Sequence, residues 1–159
     1  MSSSTPIAQR INVFETAPAA IKALFAAEQY ARSSGLEHSL LALVKLRASY
    51  VNGCAFCVDM HTKDARLAGE TEQRLFGVPV WRETPYYSPR ERAALAWTEA
   101  VTRLGEHGVG DELYRETREY FSEQELVNLT IAVIAINSWN RLSIAFKAVP
   151  GSYQPAKAL

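Results

Sequence analysis

Apolar residues recur at helical spacing along almost the whole chain, and alternation of apolar and polar positions never persists for more than a few residues. The pattern predicts an all-α protein, a helical bundle without strands. Pro18 to Ser33 places Ile21, Leu24, Phe25 and Tyr30 near one stripe, and Gly35 can end that helix. The next helix, about Glu37 to Tyr50, carries Leu40, Leu41, Leu43, Val44 and Leu46. Asn52-Gly53 then breaks the path and reads as the start of a third helix, which runs through His61 to about Leu67 and is closed by Gly69.

Thr71 to Phe76 suggests a short helix before Pro79, and Val80 to Tyr87 reads as a loop or a turn of helix. Its aromatics, Trp81, Tyr86 and Tyr87, either wall a pocket or, more simply, pack. Ser88-Pro89-Arg90-Glu91 is a strong start signal, with an N-cap serine, proline at the first helical position and glutamate completing a capping box. A long helix should follow to about Gly105. After the loop His107 to Gly110, Asp111 can cap a helix through Tyr120. Ser122 and Glu125 form a second capping box that opens the apolar helix Leu126 to Ile136. Asn137-Ser138-Trp139-Asn140 is expected to kink this helix or divide it from a last one, about Arg141 to Val149, before Pro150-Gly151 ends regular structure.

The length, 159 residues, is that of one domain, 1–159 with a core at about 18–149, and is enough to bury a full hydrophobic core. A hydrophobic share of 48% argues against extensive disorder. Seventeen basic residues balance seventeen acidic ones, so no strong positive field is present to attract nucleic acid or an anionic membrane. The most apolar segment, Leu126 to Phe146, is interrupted by Asn128, Asn137, Asn140 and Arg141, which argues against a membrane span. Met1 to Pro6 lacks the basic start and apolar core of a secretory signal, so a cytoplasmic location is expected. In that reducing setting two cysteines point to catalysis or sensing rather than to a structural staple.

Both cysteines lie in Asn52-Gly53-Cys54-Ala55-Phe56-Cys57-Val58-Asp59-Met60-His61, in the order C-x-x-C-x-x-x-H. On a helix, steps of ~100° per residue put Cys54, Cys57 and His61 within about 60° of one another. A thiolate is the reactive form of cysteine and is favoured by a helix N-terminus or a nearby base. With Asn52-Gly53 as the helix start, Cys54 would sit in the first turn. His61 is one turn beyond Cys57 and can take its proton or stabilise its thiolate. The two thiols are close enough to form a disulfide, so one can be oxidised by peroxide to a sulfenic acid and captured by the other. Other uses of the pair are less well supported. A structural zinc site needs four ligands, and no second C-x-x-C or H-x-x-x-H exists; His38 or His107 would have to complete it. Covalent haem attachment requires histidine directly after the second cysteine, where Val58 stands. Two inert, buried cysteines are the remaining structural alternative.

The block Leu43-Val44-Lys45-Leu46-Arg47-Ala48-Ser49, the cysteine stretch, and Met60-His61-Thr62-Lys63-Asp64-Ala65-Arg66 together resemble the AhpD-like alkyl hydroperoxidases of the carboxymuconolactone decarboxylase family. Trp81 to Pro85, Glu91 to Glu99 and Ala135 to Arg141 look like the same subgroup. The resemblance implies an all-helical fold assembling into homo-oligomers, trimers or hexamers, and a cofactor-independent peroxidase acting on alkyl hydroperoxides. By position, Cys57 would attack the peroxide, Cys54 would resolve, His61 would move the proton, and a lipoylated or thioredoxin-like dithiol would regenerate the thiols. Two positions depart from the family pattern. The glutamate expected twelve residues before the first cysteine is Ala42 here, and a second histidine found just before the later cysteine is Phe56. Glu37 is the nearest upstream acid. A weakened peroxidase is therefore expected. The alternatives are a redox-responsive, stress-linked binding protein with slow turnover, a lactone decarboxylase in which the thiols are idle, and a metal-binding module.

Overall fold

In the computed structural model residues 8–156 are described; Met1 to Pro6, where a leader signal was sought, lie outside them. The described residues form eight α-helices and one 3-10 helix, without a named strand. These are α1 (Val13–Thr16), α2 (Pro18–Ser33), α3 (His38–Asn52), α4 (Ala55–Leu67), α5 (Glu72–Gly77), the 3-10 helix Val78–Glu83, α6 (Pro89–Thr102), α7 (Asp111–Arg118) and α8 (Glu123–Ala145). The all-α expectation holds. No helix among the described residues is long and apolar enough to cross a membrane.

α3 is the centre of the bundle. Leu40, Leu41, Leu43, Val44, Leu46 and Ala48 are buried on all sides of it, as expected of a helix enclosed by others. One side, with Leu40, Leu41 and Val44, packs on Ala94, Trp97, Leu126, Leu129 and Val133 of α6 and α8. The other side, with Leu43 and Leu46, packs on Ala65, Leu75, Val78, Trp81 and Leu95. Both capping boxes form as read: Ser88 Oγ accepts from Glu91 N–H at 3.2 Å while Glu91 Oε2 accepts from Ser88 N–H at 2.8 Å. Ser122 and Glu125 repeat those distances.

Several sequence expectations need correction. The stripe of α2 divides: Ile21 is buried, whereas Phe25 and Tyr30 face outward. Phe25 meets Trp139 at 5.0 Å between ring centroids, and Tyr30 donates to Asn128 Oδ1 at 2.9 Å. α6 stops at Thr102 rather than Gly105, and Gly110, not Asp111, occupies the cap position before α7. α8 is unbroken to Ala145, so no separate helix covers Arg141 to Val149. The asparagines that suggested a break find partners both within the helix and on α6: Asn137 Nδ2 donates to Val133 O at 2.8 Å and to Thr102 Oγ1 at 3.0 Å. Trp81 and Tyr87, by contrast, pack in the core, the simpler of the two readings of those aromatics. Trp81 Nε1 donates to Glu99 Oε1 at 2.7 Å, and Glu99 also pairs with Arg47 and Arg82, each at 2.6 Å. The family-like blocks around Trp81 and Glu99 thus pin the 3-10 helix to α3 and α6, away from the cysteines.

Candidate active site

The connection between α3 and α4 is built by Gly53. Its φ of 69° is left-handed, a region glycine enters without the penalty a Cβ brings. Gly53 N–H reaches Tyr50 O at 3.1 Å and Cys54 N–H reaches Ser49 O at 2.9 Å, the paired bonds of a Schellman motif. Asn52-Gly53 therefore closes α3 instead of starting α4, contrary to the sequence reading. Cys54 is the N-cap of α4, and its Sγ accepts from Cys57 N–H at 3.3 Å. It is Cys57, three residues into the helix, that stands in the first turn.

Cys54 and Cys57 are joined in a disulfide, with Cα atoms 5.3 Å apart. Each is about 1% exposed. Two open depressions, of about 530 and 420 Å³, flank the connection, and both touch Gly53, Cys54 and Ala55 without touching Cys57. The larger runs toward the end of α8, past Phe56, Ile144 and Ala148. Cys54 thus lines both depressions and Cys57 lines neither.

His61 lies one turn beyond Cys57 on α4. Its Nε2 is sealed from solvent and has no hydrogen-bond partner among the described residues. Burial first, and the positive charge of Lys45 second, push its pKa from the usual 6.5 down to about 3. The ring is neutral at physiological pH. His38 and His107 are exposed; His38 contacts Arg32 O at 3.2 Å. Among the described residues no group of three or more His, Cys, Asp or Glu side chains is placed to hold a metal ion.

Behind the connection lies a polar network that sequence reading did not find. Asn52 Nδ2 donates to Asn137 Oδ1 at 3.0 Å and to Asn140 Oδ1 at 2.9 Å, and Asn140 Nδ2 donates to Ser49 Oγ at 3.1 Å. These bonds tie the last turn of α3, and with it the Cys54 cap, to α8. Asn140 is fully buried, so Asn140→Ala should strip partners from Asn52 and Ser49 and cost about 2 kcal/mol. Urea unfolding with an unchanged m-value would show this, and a loss below about 0.5 kcal/mol would refute the network's anchoring role. The remaining signal available in the sequence was the cluster of asparagines in an apolar helix.

On the outer side of α4 the chain's end acts as a clamp. Asp59 pairs with Lys63 at 2.9 Å and accepts from Gly151 N–H at 3.0 Å, while Tyr153 OH donates to Asp64 Oδ1 at 2.7 Å. The Lys63 bond holds the Asp59 carboxyl below its ordinary value. Burial, and then the bond to Asp64, push the Tyr153 hydroxyl up to about 12. α4 is thereby fixed on the face opposite α3.

The model of the carboxymuconolactone decarboxylase family matches residues 16–100. The uncharacterized protein YdfG of Bacillus subtilis is 45% identical over 139 residues, 87% of this chain and 95% of that protein. A crystal structure of a protein of unknown function from Agrobacterium tumefaciens, put forward as an antioxidant defence protein AhpD, is 46% identical with a TM-score of 0.88, covering 92% of this chain and 100% of that one. The debrominase Bmp8 shares the fold at 18% identity, with a TM-score of 0.78 over 87% of this chain and 75% of its own.

Proposed function

The chain belongs to the carboxymuconolactone decarboxylase family, in its AhpD-like branch, and from that premise we propose that it is a dithiol peroxidase for alkyl hydroperoxides. The observation that carries the reading is the Cys54–Cys57 disulfide at the start of a helix whose next turn presents an imidazole with a sealed Nε2 that has no partner among the described residues. The helix N-terminus favours negative charge on Cys57 in its first turn. In the reduced protein the Cys57 thiol passes its proton to His61, and the thiolate attacks the distal oxygen of the hydroperoxide. The O–O bond breaks, Cys57 becomes a sulfenic acid, and the alkoxide leaves as the alcohol with the proton held on His61. Cys54 Sγ–H then displaces water from the sulfenic acid to form the disulfide. Cys54, on the wall of both depressions, is the sulfur offered to an external dithiol, of the lipoylated or thioredoxin-like kind, which reduces both thiols again.

The apolar side chains exposed on α1, α2 and α8, among them Phe14, Phe25 and Ile144, support assembly into a homo-oligomer, a trimer or hexamer by the family's habit. One observation favours a second reading. Both cysteines are almost fully buried, which slows exchange with a protein reductant and suits a redox-responsive binding protein that oxidises once per exposure to peroxide.

A thiol count decides the chemistry. Reduced protein treated with one equivalent of alkyl hydroperoxide should lose both thiols and become lighter by two hydrogens, and a dithiol should reverse the change. Survival of both thiols would refute the peroxidase; oxidation without repeated turnover in excess dithiol would favour the sensor.

A further inference from the structure

Lys45 is out of place by ordinary rules. It stands between Val44 and Leu46 on the most enclosed helix of the fold and is only 8% exposed. Its ammonium is paired with the Glu28 carboxylate of α2, with the two side chains 10% and 19% exposed. Replacing a buried ion pair by apolar side chains is often neutral or stabilising, so packing alone does not call for one here.

Its position is informative. Lys45 lies eight residues before Gly53 and His61 lies seven after Cys54. At ~1.5 Å per residue both stand about 10 to 12 Å from the connection, on helices that pack against each other. The backbone positions of Lys45 and His61 are therefore level across the α3–α4 hairpin, and the charge of Lys45 acts on the ring. Cys57 is one turn nearer the connection. Other charges close to α4 are occupied elsewhere: Asp59 with Lys63, and Asp64 with Tyr153, on the side clamped by the chain's end. α8 and the turn after it bring Arg141, which donates to Asn137 O and Oδ1 at 3.0 and 2.7 Å, Lys147, which lines the larger depression with Cys54, and the neutral Asn137 and Asn140; α3 adds the Ser49 and Tyr50 hydroxyls. Ala42, three residues before Lys45 and so its neighbour on α3, supplies no charge.

A thiolate at Cys57 needs a positive charge within reach, and the resting, neutral His61 provides none until it has taken the thiol proton. We propose that Lys45, clasped by Glu28, is a positioning residue of the dithiol: its ammonium is the fixed charge against which Cys57 ionises, and Glu28 holds that ammonium in register and limits its strength. The proposal rests on the dithiol reading above. In the ionisation the proton leaves Cys57 Sγ for the His61 ring, and Lys45 and Glu28 exchange no proton; when the hydroperoxide O–O bond breaks, the same proton leaves with the alcohol.

The test titrates Cys57 as a single thiol in a Cys54→Ser background, by thiolate absorbance and by the pH dependence of its alkylation rate. Lys45→Met should raise the midpoint by about 1 pH unit and Glu28→Gln should lower it by about 0.5. Lys45→Arg, which keeps the charge, should restore the midpoint to within about 0.3 of the parent. Displacements of opposite sign are what a merely structural pair does not produce. Movement of both variants in one direction, or by less than about 0.2 pH unit, would overturn the proposal. Should Lys45→Met fail to fold, Glu28→Gln decides alone: a lowered midpoint supports the proposal, and an unchanged or raised one overturns it. Because the titration needs no peroxide, opposite shifts in a protein that never turns over hydroperoxide would refute the peroxidase and leave the role of Lys45 standing.

Discussion

Cys57→Ser should abolish dithiol-dependent turnover of an alkyl hydroperoxide, a loss on the order of 10³-fold or more, because serine at this site has no accessible anion with which to attack the peroxide oxygen. The fold should survive, since the replacement is near-isosteric and α4 keeps its hydrogen bonds. Cys54→Ser should behave differently. Serine is a good N-cap and preserves the helix start. Such a protein should consume one equivalent of hydroperoxide per chain and stop at a Cys57 sulfenic acid that a dione reagent can trap. Stopped-flow consumption of hydroperoxide, with and without dithiol, measures both variants. Normal steady-state activity in Cys57→Ser would sink the mechanism, and an exchange of the two phenotypes would transfer the attacking role to Cys54, the sulfur nearer the depressions.

The second large effect is on stability in acid. The folded His61 has its pKa lowered to about 3, whereas in the unfolded chain it returns to the usual 6.5. Between those values the unfolded state binds a proton that the folded state does not. Stability is therefore full above about pH 6.5 and falls as the pH drops through that value, by about 1.4 kcal/mol per pH unit from this one group. By pH 5 the loss should be about 2 kcal/mol, ahead of most carboxylate titration. His61→Gln should remove this slope, so that urea midpoints of the oxidised variant stay flat from pH 7 to pH 5 while those of the parent decline. Parallel curves would mean that the ring is solvated and charged in the folded protein. The same property bears on function: a ring that resists protonation holds the thiol proton only briefly and returns it readily to the departing alkoxide.

Under the proposed mechanism, the neighbouring turn of α3 makes up for Ala42. A glutamate from α3 would bring negative charge toward the histidine; this chain instead carries a buried cation with its counter-ion on α2. The Lys45 charge acts on the imidazole with the opposite sign. In the proposed mechanism, charge stabilisation at the thiolate and proton transfer are divided between Lys45 and His61.

Signals that act within a turn of helix were legible from the residues alone. The 3.6-residue spacing of apolar positions marked the principal helices, Ser88 with Glu91 and Ser122 with Glu125 marked two starts, and the C-x-x-C-x-x-x-H spacing put two thiols and an imidazole on neighbouring positions. Each depends on groups at most four residues apart, so the chain encodes it without reference to the rest of the molecule. What the tertiary structure decided depends on partners far away in the chain. Asn137 and Asn140 looked like helix breakers because their satisfaction by Thr102, Ser49 and Asn52 is invisible locally, and α8 runs through them. Gly53 could open a helix or close one; the Ser49 and Tyr50 carbonyls made it a closure and moved Cys57 into the first turn. The partner of Lys45 is likewise invisible locally, because Glu28 reaches it only from α2, seventeen residues earlier in the chain. Sequence thus set the inventory of reactive groups and their local order, and packing set their charge states, because burial and opposing charge are properties of the enclosed space between helices.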